Sequence, residues 1–420
     1  MLQVVRKYAG AITLFFLFLS YGCEKKLPVE PLPTPPIDII GFEQTVRVGN
    51  YVVLEDTCNG VLDGEPIIWY EWSQDSTNPV EVFLMSDYYM SSRPIGFVKE
   101  GIYRFTLVVS TQTKNDTTGR WQVTVLPREE SVFEDPKLEV KVRYTLKIAT
   151  KTLTQTDFLS LDTLMMNCII TDRITSLSGI ENCSNLLFLG MPLQRIKDLT
   201  PLTNLTKMIR LDLDQNWGIT DVTPLTGMME LQHLNLDGNY ITDISCLSNL
   251  TKLTYFNVRY NSVSDISVVA NMPDLEELWL GPNPISDISA LADLKKLTTL
   301  WLTNCNISDI SSLQNSTNLE LIKLAVNQVT DISALAGMTK LERAYLEQNR
   351  IEDISALEFC VSLNILRLAD NNVVDILPLV NNTGLGRGDL VSLDNNPLND
   401  KSTNEYIPTL RARGVAVSWW

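Results

Sequence analysis

The chain has a single histidine, His233, among 420 residues. Imidazole-based nucleophilic triads and histidine zinc sites therefore have almost no material. No C-x-x-C pair, H-E-x-x-H, G-x-S-x-G or glycine-rich phosphate loop occurs. Positive charge is also scarce. Lys and Arg number 34 against 50 Asp and Glu, giving a net charge of −16 with no basic cluster. Nucleic acid is excluded as a partner on that ground, because its phosphates demand Lys and Arg. No affinity for anionic lipid headgroups is expected either. The apolar run Ala11–Leu19 falls short of the roughly 20 residues needed to span a bilayer. Carboxylates are plentiful enough for a glycosidase, but they fall on a regular lattice and not in one place. A binding protein is expected, with no enzyme activity, no cofactor and no metal.

That lattice is what the chain has in abundance. From Leu231 to Leu379 the pattern L-x-x-L-x-L-x-x-N-x-I-x-D-I-x-x-L recurs every 22 residues, opening at Leu231, Leu253, Leu275, Leu297, Leu319, Leu341 and Leu363. Further copies open at Leu186 and Met208, the latter with one extra residue around Trp217-Gly218. A degenerate copy runs from Leu161 to Leu177, and Val391 to Leu398 closes the series after an interruption at Gly384–Gly388. The count is eleven units. A period of 20–29 residues with this leucine spacing predicts a leucine-rich repeat solenoid, in which each unit buries its core only against its neighbours.

Each slot has a physical role. Leu234 and Leu236 alternate on a short strand and point into the core. The Asn at the turn off the strand (Asn216, Asn239, Asn261, Asn283, Asn327, Asn349, Asn371 and Asn396, with Cys305 as the exception) has an amide that both donates and accepts towards neighbouring coils. The Asp ladder, for example Asp243, Asp287 and Asp331, precedes the opposite turn, where a carboxylate caps loose N–H groups. These aspartates lie one per coil, without the close partner carboxylates of a calcium loop.

The phrase Asn349-Arg350-Ile351-Glu352-Asp353-Ile354-Ser355-Ala356-Leu357 closely resembles the internalin-like class of bacterial repeats. The resemblance covers roughly residues 161–400. It implies parallel strands on the concave face, short 3₁₀ turns on the convex face, and recognition of host or surface molecules.

At the start, Arg6 and Lys7 precede the apolar run Ala11–Leu19, as in a secretory signal. Ser20-Tyr21-Gly22-Cys23 resembles a bacterial lipoprotein cleavage box, with Cys23 as the lipidated residue, although Tyr21 is bulky and Leu19 sits one place early. The resemblance implies a protein of the bacterial cell envelope, lipid-anchored at the outer membrane or cell surface, and touching the membrane only through that lipid. Residues 23–37 carry Pro28, Pro31, Pro33, Pro35 and Pro36, a tether of roughly 40 Å at about 3.1 Å per residue.

Residues 38–128 read as an all-β sandwich. Candidate strands are Thr45–Val48, Tyr51–Glu55, Ile67–Ser73, Val80–Leu84, Gly101–Ser110 and Arg120–Leu126, with turns at Gly60, Asp63-Gly64 and Asn115-Asp116. Ile68-Trp69-Tyr70-Glu71-Trp72-Ser73 and Gly101-Ile102-Tyr103-Arg104-Phe105 resemble the PKD-like branch of immunoglobulin folds, which implies a rigid spacer with Trp72 in its core. Residues 129–160 are expected to cap the solenoid. Lys137–Ala149 fits both a strand and a helix, and the resemblance to other bacterial repeat proteins favours the helix. The repeats occupy 161–403. Residues 404–420 form a second cap, with a helix over Tyr406–Arg413 and a strand over Val415–Trp419. Besides Cys23, six cysteines are present, and buried free thiols are expected for most. Cys168 and Cys183, in the irregular first coil, are a candidate pair.

The register also indicates a binding face. One column of outward strand residues runs Gly190, Asp212, Asn235, Asn257, Trp279, Trp301, Lys323, Tyr345, Arg367 and Ser392. The column two places earlier includes His233, Tyr255, Glu277, Leu321, Arg343 and Ile365. His233 is expected to be an ordinary exposed residue. Neighbouring strands lie about 4.8 Å apart, so Trp279 and Trp301 should touch. Tyr255, Trp279, Trp301, Lys323, Arg343, Tyr345 and Arg367 are the candidate ligand-binding residues, since exposed aromatics beside arginine mark interface hot spots. A protein ligand bound by a monomer is the first expectation. A glycan stacked on the aromatics is the alternative.

Overall fold

The structure, a computed structural model, describes residues 42–420 apart from 48, 56–60, 63–64, 67–68, 75, 77, 79–82, 85–91, 111–114, 129 and 167–172. The signal, the tether and Cys23 lie outside the described residues, as do Gly60 and Asp63-Gly64. No helix of the described residues is long and apolar enough to cross a membrane.

Among the described residues nine strands precede the repeats: β1 (Phe42–Arg47), β2 (Tyr51–Glu55), β3 (Val61–Leu62), β4 (Glu65–Pro66), β5 (Trp69–Gln74), β6 (Phe83–Leu84), β7 (Ser92–Gly96), β8 (Gly101–Ser110) and β9 (Asn115–Leu126). One sheet has the order β1-β9-β8-β5 and a second β2-β7-β6, while β3 and β4 pair as a small hairpin. Phe97, just after β7, packs edge-on against Tyr103 of β8 at 5.0 Å, which joins the two sheets. Asn115-Asp116 do not form a turn. They open β9, whose pairing with β8 runs out to Ser110↔Asn115. β7 is not among the expected strands, and it lies between β2 and β6.

Helix α1 (Pro136–Leu146) follows, and it resolves the ambiguous segment as a helix. The Asp135 side chain accepts from the Lys137 N–H at 2.9 Å, and Pro136 occupies the first turn, where its missing N–H costs nothing. Both periodicities were present because α1 is buried on two sides. Val140 packs on Gly96 of β7, where a Cβ would fall 2.2 Å from the valine methyl, so only glycine permits the approach. Tyr144 packs edge-on against Tyr51 at 5.6 Å. Leu138, Val140 and Val142 belong to the same continuous core as the repeats. A second short helix, α2 (Gln155–Leu159), starts with a capping box between Thr154 and Asp157.

Twelve parallel strands then form one sheet in sequence order. They are β10 (Thr163–Met165), β11 (Phe188–Gly190), β12 (Arg210–Asp212), β13 (His233–Asn235), β14 (Tyr255–Asn257), β15 (Glu277–Trp279), β16 (Thr299–Trp301), β17 (Leu321–Lys323), β18 (Arg343–Tyr345), β19 (Ile365–Arg367), β20 (Leu390–Ser392) and β21 (Ala416–Ser418). Short 3₁₀ turns, such as Ser289–Leu291 and Ser333–Gly337, return the chain on the opposite side. The first eleven strands match the eleven units counted. The last lies beyond them, where helix Ile407–Ala412 leads into β21, paired with β20 through Val391↔Val417.

The Asn ladder ties adjacent coils together. Asn349 accepts from the Val329 N–H at 3.0 Å and donates to the carbonyls of Leu324 (2.9 Å) and Leu346 (3.0 Å). The residue before the ladder position is often left-handed, with φ of +50° at Tyr260, +61° at Val326 and +57° at Gln348. The Asp ladder caps the other turn. Asp287 and Asp331 each accept from a serine N–H two residues on, at 2.8 and 2.7 Å, and that bond holds both carboxyls below their ordinary pKa. Cys183, Cys246, Cys305 and Cys360 are free thiols. Burial pushes Cys183 and Cys360 up to about 12, so at neutral pH they are inert thiols. Cys183 thus forms no pair, and Cys168 lies outside the described residues.

Candidate functional site

The site is built on strands whose central residues, Phe256, Leu278, Leu300, Ile322, Ala344 and Leu366, are fully buried. The flanking residues consequently face outward, because side chains alternate along a strand. The pairing Trp279↔Trp301, Trp301↔Lys323, Lys323↔Tyr345 and Tyr345↔Arg367 puts five candidate residues in one column. Tyr255 and Arg343 stand in the neighbouring column, through His233↔Tyr255 and Leu321↔Arg343. All seven lie on one face. Tyr255, Trp279, Trp301, Lys323 and Tyr345 are half-buried, whereas Arg343 and Arg367 are exposed.

The rings form a continuous ladder. Tyr255 meets Trp279 at 5.9 Å, and Trp279 meets Trp301 at 5.0 Å with 36° between the planes. The ladder starts one strand earlier than expected. His233 stacks on Tyr255 at 4.1 Å and 7°, so it is a half-buried member of the ladder and not an ordinary exposed residue. Burial and then the charge of Arg210 press its pKa down to about 4, although Asp212 acts the other way. At neutral pH His233 is an uncharged aromatic surface.

A third outward column, one slot beyond the second core residue, was missed. It contains Asp214, Asp237, Arg259, Gly281, Thr303, Ala325 and Glu347. Its signal was available, since each of these follows a buried Leu or Val in the repeat. Arg259 is its main contribution. The guanidinium lies 4.2 Å from the centre of the Trp301 ring and 5.0 Å from that of Trp279, held by a 2.8 Å ion pair to Asp237. A Cβ at Gly281 would fall 2.1 Å from the Thr303 carbonyl, so the floor beside the tryptophans stays shallow. Lys323 also approaches Trp301, its Nζ 3.5 Å from the ring centre and 4.9 Å from that of Tyr345. Arg367 sits 5.4 Å from Tyr345. Aromatic faces hold cations by their quadrupole, more strongly where water is thinned out. Burial, then Arg259, Arg343 and Arg367, lower the Lys323 pKa.

Acidic groups gather on the earlier strands. Arg210 lies 3.6 Å from Asp212, and the Asn235 amide donates to Asp212 at 2.9 Å. Burial, followed by hydrogen bonding and repulsion from Asp212 and repulsion from Asp237, pushes Asp214 up to about 7. The face is therefore polar along its length, acidic towards β12 and β13 and cationic towards β17 to β19. No group of side chains suited to a metal ion occurs among the described residues.

Comparison with known proteins agrees with this architecture. A profile for leucine-rich repeats (two copies) matches residues 230–271, 251–293 and 295–337. No curated protein matched the sequence. Among solved structures, an internalin from Listeria monocytogenes is 29% identical, with 67% of this chain and 88% of that chain covered and a TM-score of 0.57. The functional domain of InlJ from the same organism, which includes a cysteine ladder, is 21% identical, with 67% of this chain and 68% of that one covered and a TM-score of 0.51. The second likeness is one of fold alone. Strand order, turn type and repeat profile together show a leucine-rich repeat solenoid, similar to that of the Listeria internalin.

Proposed function

We propose that the protein recognises a protein ligand through the concave strand face of its repeats, and that it does so as an exported, lipid-anchored protein of a bacterial envelope. The observation that carries the binding reading is the ladder His233, Tyr255, Trp279 and Trp301 with Arg259 and Lys323 packed on its rings. Aromatic and Arg side chains clustered at a surface are the usual centre of an interface. The fold's own core does not require them, because Leu278 and Leu300 already fill it. The carbohydrate alternative is weaker. Arg259 and Lys323 occupy the vicinity of the Trp301 ring faces, where a sugar would have to stack.

The double change Trp279→Ala/Trp301→Ala is expected to leave the melting temperature nearly unchanged. It should weaken capture of a surface-protein ligand by at least about 2 kcal/mol, the level of a hot-spot residue. Ser311→Ala, on the turn side, should change nothing. A glycan array run beside a surface-protein pull-down decides between the two ligand classes. Unchanged capture by a folded double mutant would move the site away from this face.

The anchor rests on the sequence around Cys23. Cys23→Ser should release the protein from membranes into the soluble fraction. Detergent partitioning that survives the change, with no lipid mass on Cys23 in the parent, would refute it. In this reading the β-sandwich, with its PKD-like and immunoglobulin-like sequence, serves as a spacer between tether and repeats.

A further inference from the structure

We infer that the ligand of this face is an acidic segment of polypeptide, about six residues long and with apolar side chains among its carboxylates, lying across β15 to β19. The inference rests on the concave-face reading above and adds the chemistry of the partner.

The first observation is unmatched charge. Lys323, Arg343 and Arg367 form no ion pair among the described residues, in contrast to Arg259, which Asp237 holds at 2.8 Å. All three belong to consecutive strands, joined by Lys323↔Tyr345↔Arg367 and Leu321↔Arg343↔Ile365. Lys323 is half-buried between the Trp301 and Tyr345 rings, which orient the ammonium but cannot neutralise it. Glu347 is the nearby carboxylate and attracts both Lys323 and Arg367, but it lies within ion-pair distance of neither, so one carboxylate faces three cations. A carboxylate brought in by a ligand would supply what the fold leaves out.

The second observation is the company these cations keep. Leu321 and Ile365 flank Arg343 in its own column, and Leu390 continues it with 49% of its surface exposed. The cations thus border apolar surface at Ile365 and Leu390, which a peptide carrying both kinds of side chain can match.

Third, the span is defined. From Trp279 to Arg367 there are four strand steps of about 4.8 Å, or about 19 Å, which about six extended residues cover. The molecule as a whole, at a net −16 and with Asp212, Asp214 and Asp237 on the preceding coils, repels an acidic segment elsewhere and confines it to this stretch.

The experiment selects phage-displayed random peptides of about 12 residues, twice that span, on the immobilised protein. Selected peptides are expected to mix Asp or Glu with apolar residues and to bind less well as salt rises. Arg343→Glu/Arg367→Glu, which changes only exposed side chains, should weaken them at least tenfold. Arg350→Glu, in the loop after the ladder Asn, should leave them unaffected. Neutral or basic winners would overturn the inference, as would equal binding by the charge-reversed protein or the absence of any selected peptide. Binding of heparin or polysialic acid fragments in place of peptides would overturn it in favour of an acidic glycan. A surface-protein ligand lost on Trp279→Ala/Trp301→Ala but kept on charge reversal would end this inference alone. A ligand lost on neither would end the concave-face reading with it.

Discussion

Glu139→Ala should destabilise the protein by about 3–5 kcal/mol, the cost of breaking a buried ion pair from one side. Glu139 stands on α1 with only 4% of its surface exposed. Its carboxylate accepts from Arg128 Nη2 at 2.7 Å, Ser131 Oγ at 2.7 Å, and Arg143 Nε and Nη2 at 2.9 and 2.7 Å. Removing it strands the Arg143 guanidinium, 7% exposed, with the Lys151 carbonyl at 2.7 Å as its remaining partner. Arg128 follows β9, so the same change also loosens the tie between β9 and α1. Chemical denaturation of the whole protein measures the effect, and a loss below about 1 kcal/mol, the worth of an exposed pair, would contradict it. The pH dependence has a definite sign. Burial alone would raise the Glu139 pKa, but its bonds to Arg128, Ser131 and Arg143 outweigh burial and lower it. This contribution is present above the unfolded-state pKa of about 4.3 and is lost as pH falls through the folded-state value.

Asn371→Ala is expected to cost about 3 kcal/mol or more. The Asn371 amide accepts from the Ile351 N–H at 3.0 Å and donates to the carbonyls of Leu346 and Leu368, both at 3.0 Å. These groups lie in the dry interior between coils, and each one left without a partner costs about 1–3 kcal/mol. Asp353→Ala, one coil earlier, provides the contrast. Its carboxylate accepts from the Ser355 N–H at 2.8 Å, but at an exposed turn where water can replace it. Melting curves should show a large shift for Asn371→Ala and a small one for Asp353→Ala. Equal shifts would mean that the two ladders have been assigned to the wrong sides of the coil.

Much of this was legible because a 22-residue repeat gives many readings of one local rule. Leu234, Leu278 and Leu300 are at the core for the same reason, and the register that follows is enough to put Trp279 beside Trp301. The N-terminal strands offered no such repetition. Each is read once, and there β7 went unread and Asn115-Asp116 passed for a turn.

The sequence by itself determined the repeat length, the eleven units, the Asn and Asp ladders, and which residues share the outward columns. These follow from spacing and from the alternation of a strand, which are properties of the local chain. Only the tertiary structure decided what the outward side chains do with one another. That Arg259 reaches back over Trp279 and Trp301, that His233 stacks on Tyr255, and that Lys323 lies between two rings depend on rotamers chosen among several strands at once. The same holds for α1. Its sequence carries the period of a strand and of a helix together, and burial against β7 on one side and the core of the repeats on the other explains why both are present.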